Sequence, residues 1–288
     1  MKKLTLIFGI VAAQLISAQA TRFVYQASST PDSAKLGERK TELVYLDTDG
    51  QKSKFYSENR MKRDSLMDRM RQTRTFDPSQ MENFRSSIEY TIEKDLQKQS
   101  ITYKERIARD QYAYTETPNF SWKILPETVK IGEYQTQKAE TIYGGRTWYA
   151  WFTQDVPLQD GPYKFGGLPG LIVKVQDSKD QYSFDLMQTK KIEKINEPQT
   201  RGQSITITKD KFVDTQKKFK KDPTSFMNNS RSGGPSGPGG GMRPGGGFGG
   251  PGGGNGPTAQ DRQRMQDMQK RMIDELKNNN NPIELSLK

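Results

Sequence analysis

Glu133, Asp155, Asp160 and Asp177 are four carboxylates in the middle of the chain. Two such groups facing each other could run acid–base hydrolysis, one giving a proton and the other taking one. Their spacing sets no two of them face to face, and none sits in a catalytic motif. Methionine offers a second chemistry. Met67-x-x-Met70 and Met265-x-x-Met268-x-x-x-Met272 have helical spacing, at which thioethers could grip a soft ion such as Cu(I). The plainer reading of such a stripe is adaptable apolar surface. Absences decide more than either. With no cysteine and no histidine, the chain has no thiolate nucleophile, no disulfide, no Cys/His zinc site and no Ser-His-Asp triad. The expectation is no catalytic residue, no metal and no cofactor, with copper binding and a carboxylate hydrolase as alternatives.

Residues 161–177 carry the most specific pattern. Gly161, Pro162, Gly166, Gly167, Pro169 and Gly170 run straight into the apolar stretch Leu171 to Val175. Glycine permits backbone conformations closed to other residues, and proline fixes φ. Two readings stay open. The loop makes a tight buried crossing, with Leu168, Leu171 and Ile172 packed on Trp151, or it rims a groove that a ligand backbone approaches. A phosphate cradle needs a helix after the glycines, and an apolar strand follows instead. Just upstream, strand alternation puts Trp148, Ala150 and Phe152 on one face and Tyr149, Trp151 and Thr153 on the other. One face is core; the second is either a stacking platform or the underside of the loop.

Gly167-Leu-Pro-Gly-Leu-Ile172 resembles the signature hexapeptide of the GLPGLI family of exported Bacteroidetes proteins. Trp148 to Thr153, Asp155-Val156-Pro157 and Gly161-Pro162 are similar to the family's upstream elements. So are Trp122 to Ile124, Ile131 to Tyr134 and Lys138-Ala139, with Gln137 standing where members carry a cysteine. The resemblance covers residues 120–190 and implies an exported protein of unassigned biochemical role. It marks Trp148, Trp151, Thr153, Pro157, Gly161, Pro162, Gly167, Leu168, Pro169 and Gly170 as signature or binding residues.

Export is also written at the N-terminus. Lys2 and Lys3, the apolar run Leu4 to Ile16, and Ala18-Gln19-Ala20 make a signal peptide over residues 1–20. That run is too short for a transmembrane anchor, so a soluble periplasmic or secreted protein is expected. Formal charge is +11, and losing Lys2 and Lys3 leaves +9. Past an export signal this excess suits anionic envelope surfaces better than nucleic acid, although a solvated surface explains it as well. Arg231 and Arg243 in glycine-rich sequence form no RGG repeat.

The elements that must position these groups follow from periodicity. Strands are expected over Arg22–Ala27, Glu42–Leu46 and Gln51–Ser57, the last two joined at Asp49-Gly50, a hairpin signal. Residues 59–97 read as a helical insertion, with Met61, Leu66 and Met70 on one face. Strands resume at Ser100–Ile107, Gln111–Thr117, Glu133–Tyr143, Arg146–Thr153, Leu171–Gln176 and Gln181–Thr189, with a short one at Ile205–Thr208. Gly144-Gly145 and Asp177 to Asp180 supply two further turns. Between Ser232 and Pro257 lie 15 Gly and 5 Pro, a composition that buries almost nothing. The expected fold is α+β and mainly antiparallel β. It comprises a curved open sheet like a half-barrel over residues 21–222, a disordered Gly/Pro-rich segment over 223–257, and an amphipathic helix with a tail over 258–288. Such a sheet would bind an apolar or extended ligand, or an outer-membrane or other envelope partner, in its groove. Docking through the Met-striped helix is the rival.

Overall fold

A computed structural model describes residues 19–75, 77, 79–108, 110–196, 204–224, 226 and 259–285. Residues 1–18 of the expected signal peptide and most of the Gly/Pro-rich segment lie outside these residues.

Among the described residues, twelve strands make one sheet. In chain order they are β1 (Ala20–Ser29), β2 (Lys40–Thr48), β3 (Lys52–Ser57), β4 (Tyr90–Asp95), β5 (Ser100–Ile107), β6 (Asp110–Glu116), β7 (Lys123–Ile131), β8 (Tyr134–Tyr143), β9 (Arg146–Thr153), β10 (Leu171–Asp177), β11 (Tyr182–Ile192) and β12 (Ile205–Thr206). Their spatial order is β12-β6-β5-β4-β3-β2-β1-β11-β10-β9-β8-β7. Every pairing is antiparallel except β12 with β6. The sheet is open, with β12 and β7 as its edges. Helices among the described residues include α1 (Glu58–Thr73), α2 (Ser79–Glu82), α3 (Lys209–Lys221) and α4 (Ala259–Asn278).

Turn chemistry explains the meander. Gly144 and Gly145 both have positive φ (59° and 80°), as a two-residue hairpin between β8 and β9 requires. Gly50 (φ 88°) does the same work between β2 and β3. Alternation then sorts the side chains. Phe23, Tyr25 and Ala27 of β1 join the main core with Leu46, Phe55, Trp148, Phe152 and Val175. Val24 points the other way, into a small cluster with Tyr45, Tyr56 and Met61 of α1. The helix thus backs the outer face while the inner face carries the main core.

That inner face is concave. The Tyr114 hydroxyl (β6) accepts from Lys164, Lys164 donates to Glu284, and the Tyr143 hydroxyl (β8) donates to Glu284. β6 and β8 stand nine positions apart in the sheet, roughly 43 Å if it were flat at about 4.8 Å per strand. Three consecutive hydrogen bonds span that interval, so the sheet curls on itself without closing.

Two expectations are corrected. Residues 59–97 are not one helical insertion: after α1 only Ser79–Glu82 forms a helix, and Tyr90–Asp95 is β4, paired with β3 and β5. Its inward residues are Tyr90, Ile92 and Lys94, and a lysine on the buried face masks the alternation. α3 was also not foreseen. Thr208 caps it by accepting from the Lys211 amide, and Phe212 enters the core beside Tyr103 and Tyr114. The spacing Phe212, Gln216, Phe219 was the available signal, obscured by lysines.

The connection between β9 and β10 gives a direct test of backbone constraint. Gly170 has φ 149°, and a Cβ there would lie 1.9 Å from the Thr153 carbonyl oxygen. Gly170→Ala should lose at least about 4 kcal/mol or fail to fold, whereas Gly37→Ala, with nothing within 4 Å, should stay within about 0.5 kcal/mol. Urea unfolding midpoints decide it; equal stability of the two variants would refute the assigned conformation.

Candidate functional site

The segment 154–170 folds back over the concave face. Asp160 and Gly166 form an isolated antiparallel bridge, and the Phe165 amide donates to the Pro162 carbonyl to close the tip. Tyr163, Phe165 and Leu168 are buried, and the Phe165 ring centroid lies 4.7 Å from that of Trp148. Gly161 is needed because Ile172 leaves no room: a Cβ would sit 2.8 Å from its side chain. The loop fills the floor of the curl with its own apolar groups.

Two lysines anchor it. At the base, Lys94 of β4 donates to Asp160 Oδ1 (2.7 Å), the Gly161 carbonyl (2.7 Å) and the Phe165 carbonyl (2.9 Å). All three ammonium protons are used, and Asp160 is completely buried. Burial pulls the Lys94 pKa below its usual value, partly offset by the Asp160 charge and hydrogen bond. At the tip, Lys164 reaches the opposite wall, where it donates to the Tyr114 hydroxyl (2.9 Å) and to Glu116 of β6. Lys164 is 1% exposed.

The remaining partners come from the C-terminus. Beyond α4 the chain runs across the mouth of the curl, and Asn281 and Glu284 are 3% and 1% exposed. Glu284 receives hydrogen bonds from Lys164, Tyr163, Tyr143 and Lys209. Arg146, at the start of β9, donates to Asn281 Oδ1 (2.6 Å), the Pro282 carbonyl (2.8 Å) and the Ile283 carbonyl (3.0 Å). It also holds Asp177 (2.9 Å) and Gln181 (2.9 Å) on the sheet side. Main-chain bonds from Asn281 to Pro31 and from Leu285 to Gly144 fix the register.

Electrostatics at this mouth balance. Lys164 and Lys209 face Glu116 and Glu284, two cations against two carboxylates. Burial alone would raise the Glu284 pKa, but the Lys164 charge, hydrogen bonds from Lys164 and Tyr163, and Lys209 outweigh it and hold it below 4.5. Burial, reinforced by the Glu284 charge, pushes the Tyr163 hydroxyl well above its usual value, so it remains a donor.

The signature residues divide. Trp148, Thr153, Gly161, Pro162, Leu168 and Gly170 are buried, whereas Pro157, Gly167 and Pro169 are exposed and Trp151 is half-buried. Leu168, Leu171 and Ile172 pack in the core that contains Trp148; the expected contact with Trp151 is corrected. Strand alternation turns Trp151 outward, between the ammonium groups of Lys138 (5.5 Å) and Lys174 (5.9 Å). Asp160 and Asp177 are each bonded to their own cation, and Asp155 and Glu133 are exposed. Met70 is buried on α1, while the side chains of Met265, Met268 and Met272 lie outside the described residues. Among those residues no three carboxylates gather as a metal site would need. A cleft of about 260 Å³ between α1 and α2 is lined by Leu66, Met70 and Gln80 among others, and by no residue of the segment 154–170. Sequence reasoning missed Lys94, Glu116, Arg146, Lys164, Lys209, Asn281 and Glu284. For Lys94, Arg146 and Lys164 the available signal was a basic residue among apolar ones in a strand or loop; Glu116, Lys209, Asn281 and Glu284 carried none.

The fold and site define an open, curled antiparallel sheet whose concave face is filled by one loop and crossed by the C-terminal segment. Within it, residues 140–174, from the end of β8 to β10, match the model of a family described as "Protein of unknown function (Porph_ging)". No curated protein matches the chain. Among solved structures it is similar to PNGF-II in its C2 crystal form (TM-score 0.50, 17% identity) and in its P21 form (0.51, 16%). These likenesses cover 68% of this chain and 32% and 33% of those chains, so the chain spans about a third of the PNGF-II length. At this identity they concern the fold.

Two predictions follow from the geometry. Trp148→Ala should cost about 3–5 kcal/mol and Trp151→Ala less than about 1.5 kcal/mol, read by denaturant unfolding; equal losses would refute the assignment of faces. Glu284→Gln should cost about 1–3 kcal/mol at pH 7, because Lys164 retains Glu116. A carboxylate with a depressed native pKa stabilises the fold in full above pH 4.5, the ordinary value, and loses that contribution as pH falls through the native one. The gap between wild type and Glu284→Gln should therefore close in acid. A gap constant from pH 7 to pH 3 would disprove the ion pair.

Proposed function

We propose that this is an exported, non-enzymatic binding protein of the cell envelope, related to the GLPGLI family, that holds an extended ligand across the mouth of its curled sheet, over the loop that fills the concave face. One observation carries the reading. The mouth grips four successive residues through side chain, main chain and carboxylate, with Arg146 on Asn281, Pro282 and Ile283 and Lys164 on Glu284. Such a set of donors suits an elongated ligand rich in acceptors, resting over an apolar floor. The signature glycines serve to lay the loop that builds this floor, and Asp160 of the loop serves as the anchor for Lys94.

Export supports the same reading. Residues 1–20 have the composition of a leader, whose last residue, Ala20, is also the first residue of β1. No helix among the described residues is long and apolar enough to cross a membrane.

Two measurements test it. Fractionation of the producing cell should place a protein lacking Met1 to about Ala20 in the periplasmic or secreted fraction; an intact N-terminus in the cytoplasm overturns export. Native mass spectrometry of full-length Asn281→Ala/Glu284→Ala protein, purified from that fraction, should reveal a bound species scarcer on the wild type. No bound species on either protein overturns ligand holding.

A further inference from the structure

The grip on residues 280–285 has a feature that an ordinary structural contact does not require: each cation of the mouth has a partner on the sheet side as well as one on the tail. Lys164 keeps Glu116 and the Tyr114 hydroxyl when the tail is disregarded. Lys209 keeps Glu116 (2.7 Å). Arg146 keeps Asp177 and Gln181. Without the tail, Lys164 and Lys209 stand against the single carboxylate of Glu116, leaving one positive charge uncompensated and the Tyr163 and Tyr143 hydroxyls aimed at the same point. That is the recognition pattern for one carboxylate. The Arg146 Nε and Nη2 groups are left with donors for a side-chain amide oxygen and two main-chain carbonyls. The tail itself is held almost entirely by polar bonds, with Ile283 as its apolar contact to the core.

Resting on the reading of the mouth as a binding surface, we infer that it is a peptide-recognition site for an extended segment of the type Asn-Pro-x-Glu, and that the chain's own C-terminus is its built-in competitor. A trans ligand of this chemistry takes the same bonds: its carboxylate between Lys164, Lys209 and Tyr163, its amide oxygen and following carbonyls on Arg146. A cis occupant raises the concentration a competitor needs, because the bound fraction is limited by how often the tail is out. Such a ligand comes either from the C-terminus of a second copy of this chain or from another protein ending in the same chemistry.

The experiment changes only the tail and leaves Lys164, Lys209, Arg146 and the other sheet-side groups of the mouth intact. A fluorescein-labelled peptide with the sequence of residues 279–288 is titrated into full-length wild type and into full-length Asn281→Ala/Glu284→Ala, with anisotropy as the readout. The double variant should bind it at least tenfold more tightly than wild type. A peptide carrying glutamine in place of the Glu284 equivalent should bind at least tenfold more weakly. A double variant that melts cooperatively yet binds neither peptide, or binds both equally, overturns the inference. If the double variant does not fold, unaltered protein with excess peptide is read by native mass spectrometry. A one-to-one adduct that the glutamine peptide fails to form supports the site, and no adduct overturns it. Light scattering over concentration separates the sources: a wild-type dimer dispersed by excess peptide means the tail of a second copy, and a monomer throughout alongside peptide binding means another protein. A ligand found on the protein from its host, with no peptide bound, removes this inference and leaves the broader reading standing.

Discussion

A lysine ammonium shut away from water must find opposite charge and hydrogen-bond acceptors, or the fold that buries it is not stable. Lys164 is that group. It sits at the tip of a loop on one side of the curl, its side chain shut off from solvent. Its acceptors come from the far wall, Glu116 and Tyr114, and from the end of the chain, Glu284. Meeting this demand fixes three things together. The sheet must curl far enough to bring β6 to the loop, the loop must be long enough to cross, and the tail must lie in the mouth. Lys94 makes the equivalent demand at the base, where one ammonium ties β4 to three oxygens of the loop.

The curl stops short of closure for reasons visible at its edges. β7 carries Pro126, which cannot donate to a ladder, within a register shift between Ile124 and Thr128. Its exposed positions include Lys123, Glu127 and Lys130, a charged edge that discourages further pairing. At the other margin β12 is two residues long. A closed barrel would have buried the polar mouth entirely. An open one leaves the ion pairs at a boundary where Glu116 and Lys209 keep contact with solvent.

Much of this architecture was legible in the residues. The hairpins at Gly50 and Gly144-Gly145, the inward set Trp148, Ala150 and Phe152, and the pairing of the apolar run after Gly170 with the tryptophan-bearing strand all follow from turn chemistry and a period of two. The rest was hidden for a common physical reason. Tyr90, Ile92 and Lys94 do alternate, but a lysine on a buried face reads as a solvated one. The lysines of α3 conceal the spacing of Phe212 and Phe219. Residues 280–285 have no periodicity at all, because the tail is held by side chains 75 or more positions away, such as Lys209, Lys164 and Arg146. Hydrophobic patterning reports which surfaces leave water; it is silent about which charges leave in company.

Those charges do more for geometry than for stability. A buried ion pair recovers through Coulomb attraction roughly what its desolvation costs, and apolar residues of equal volume would hold the loop as firmly. They would not orient it. Lys94 spends its three protons on Asp160, Gly161 and Phe165 in directions set by a tetrahedral nitrogen, which leaves the loop one position relative to β4. Phe165 is then pressed against Trp148, and Lys164, the preceding residue, is delivered to the mouth at the height of Glu116. The glycines permit the path, since Gly161 and Gly170 pass where any Cβ would collide, but permission is not selection. The buried cations select among the paths that glycine allows, and in doing so they fix where a carboxylate must come to rest.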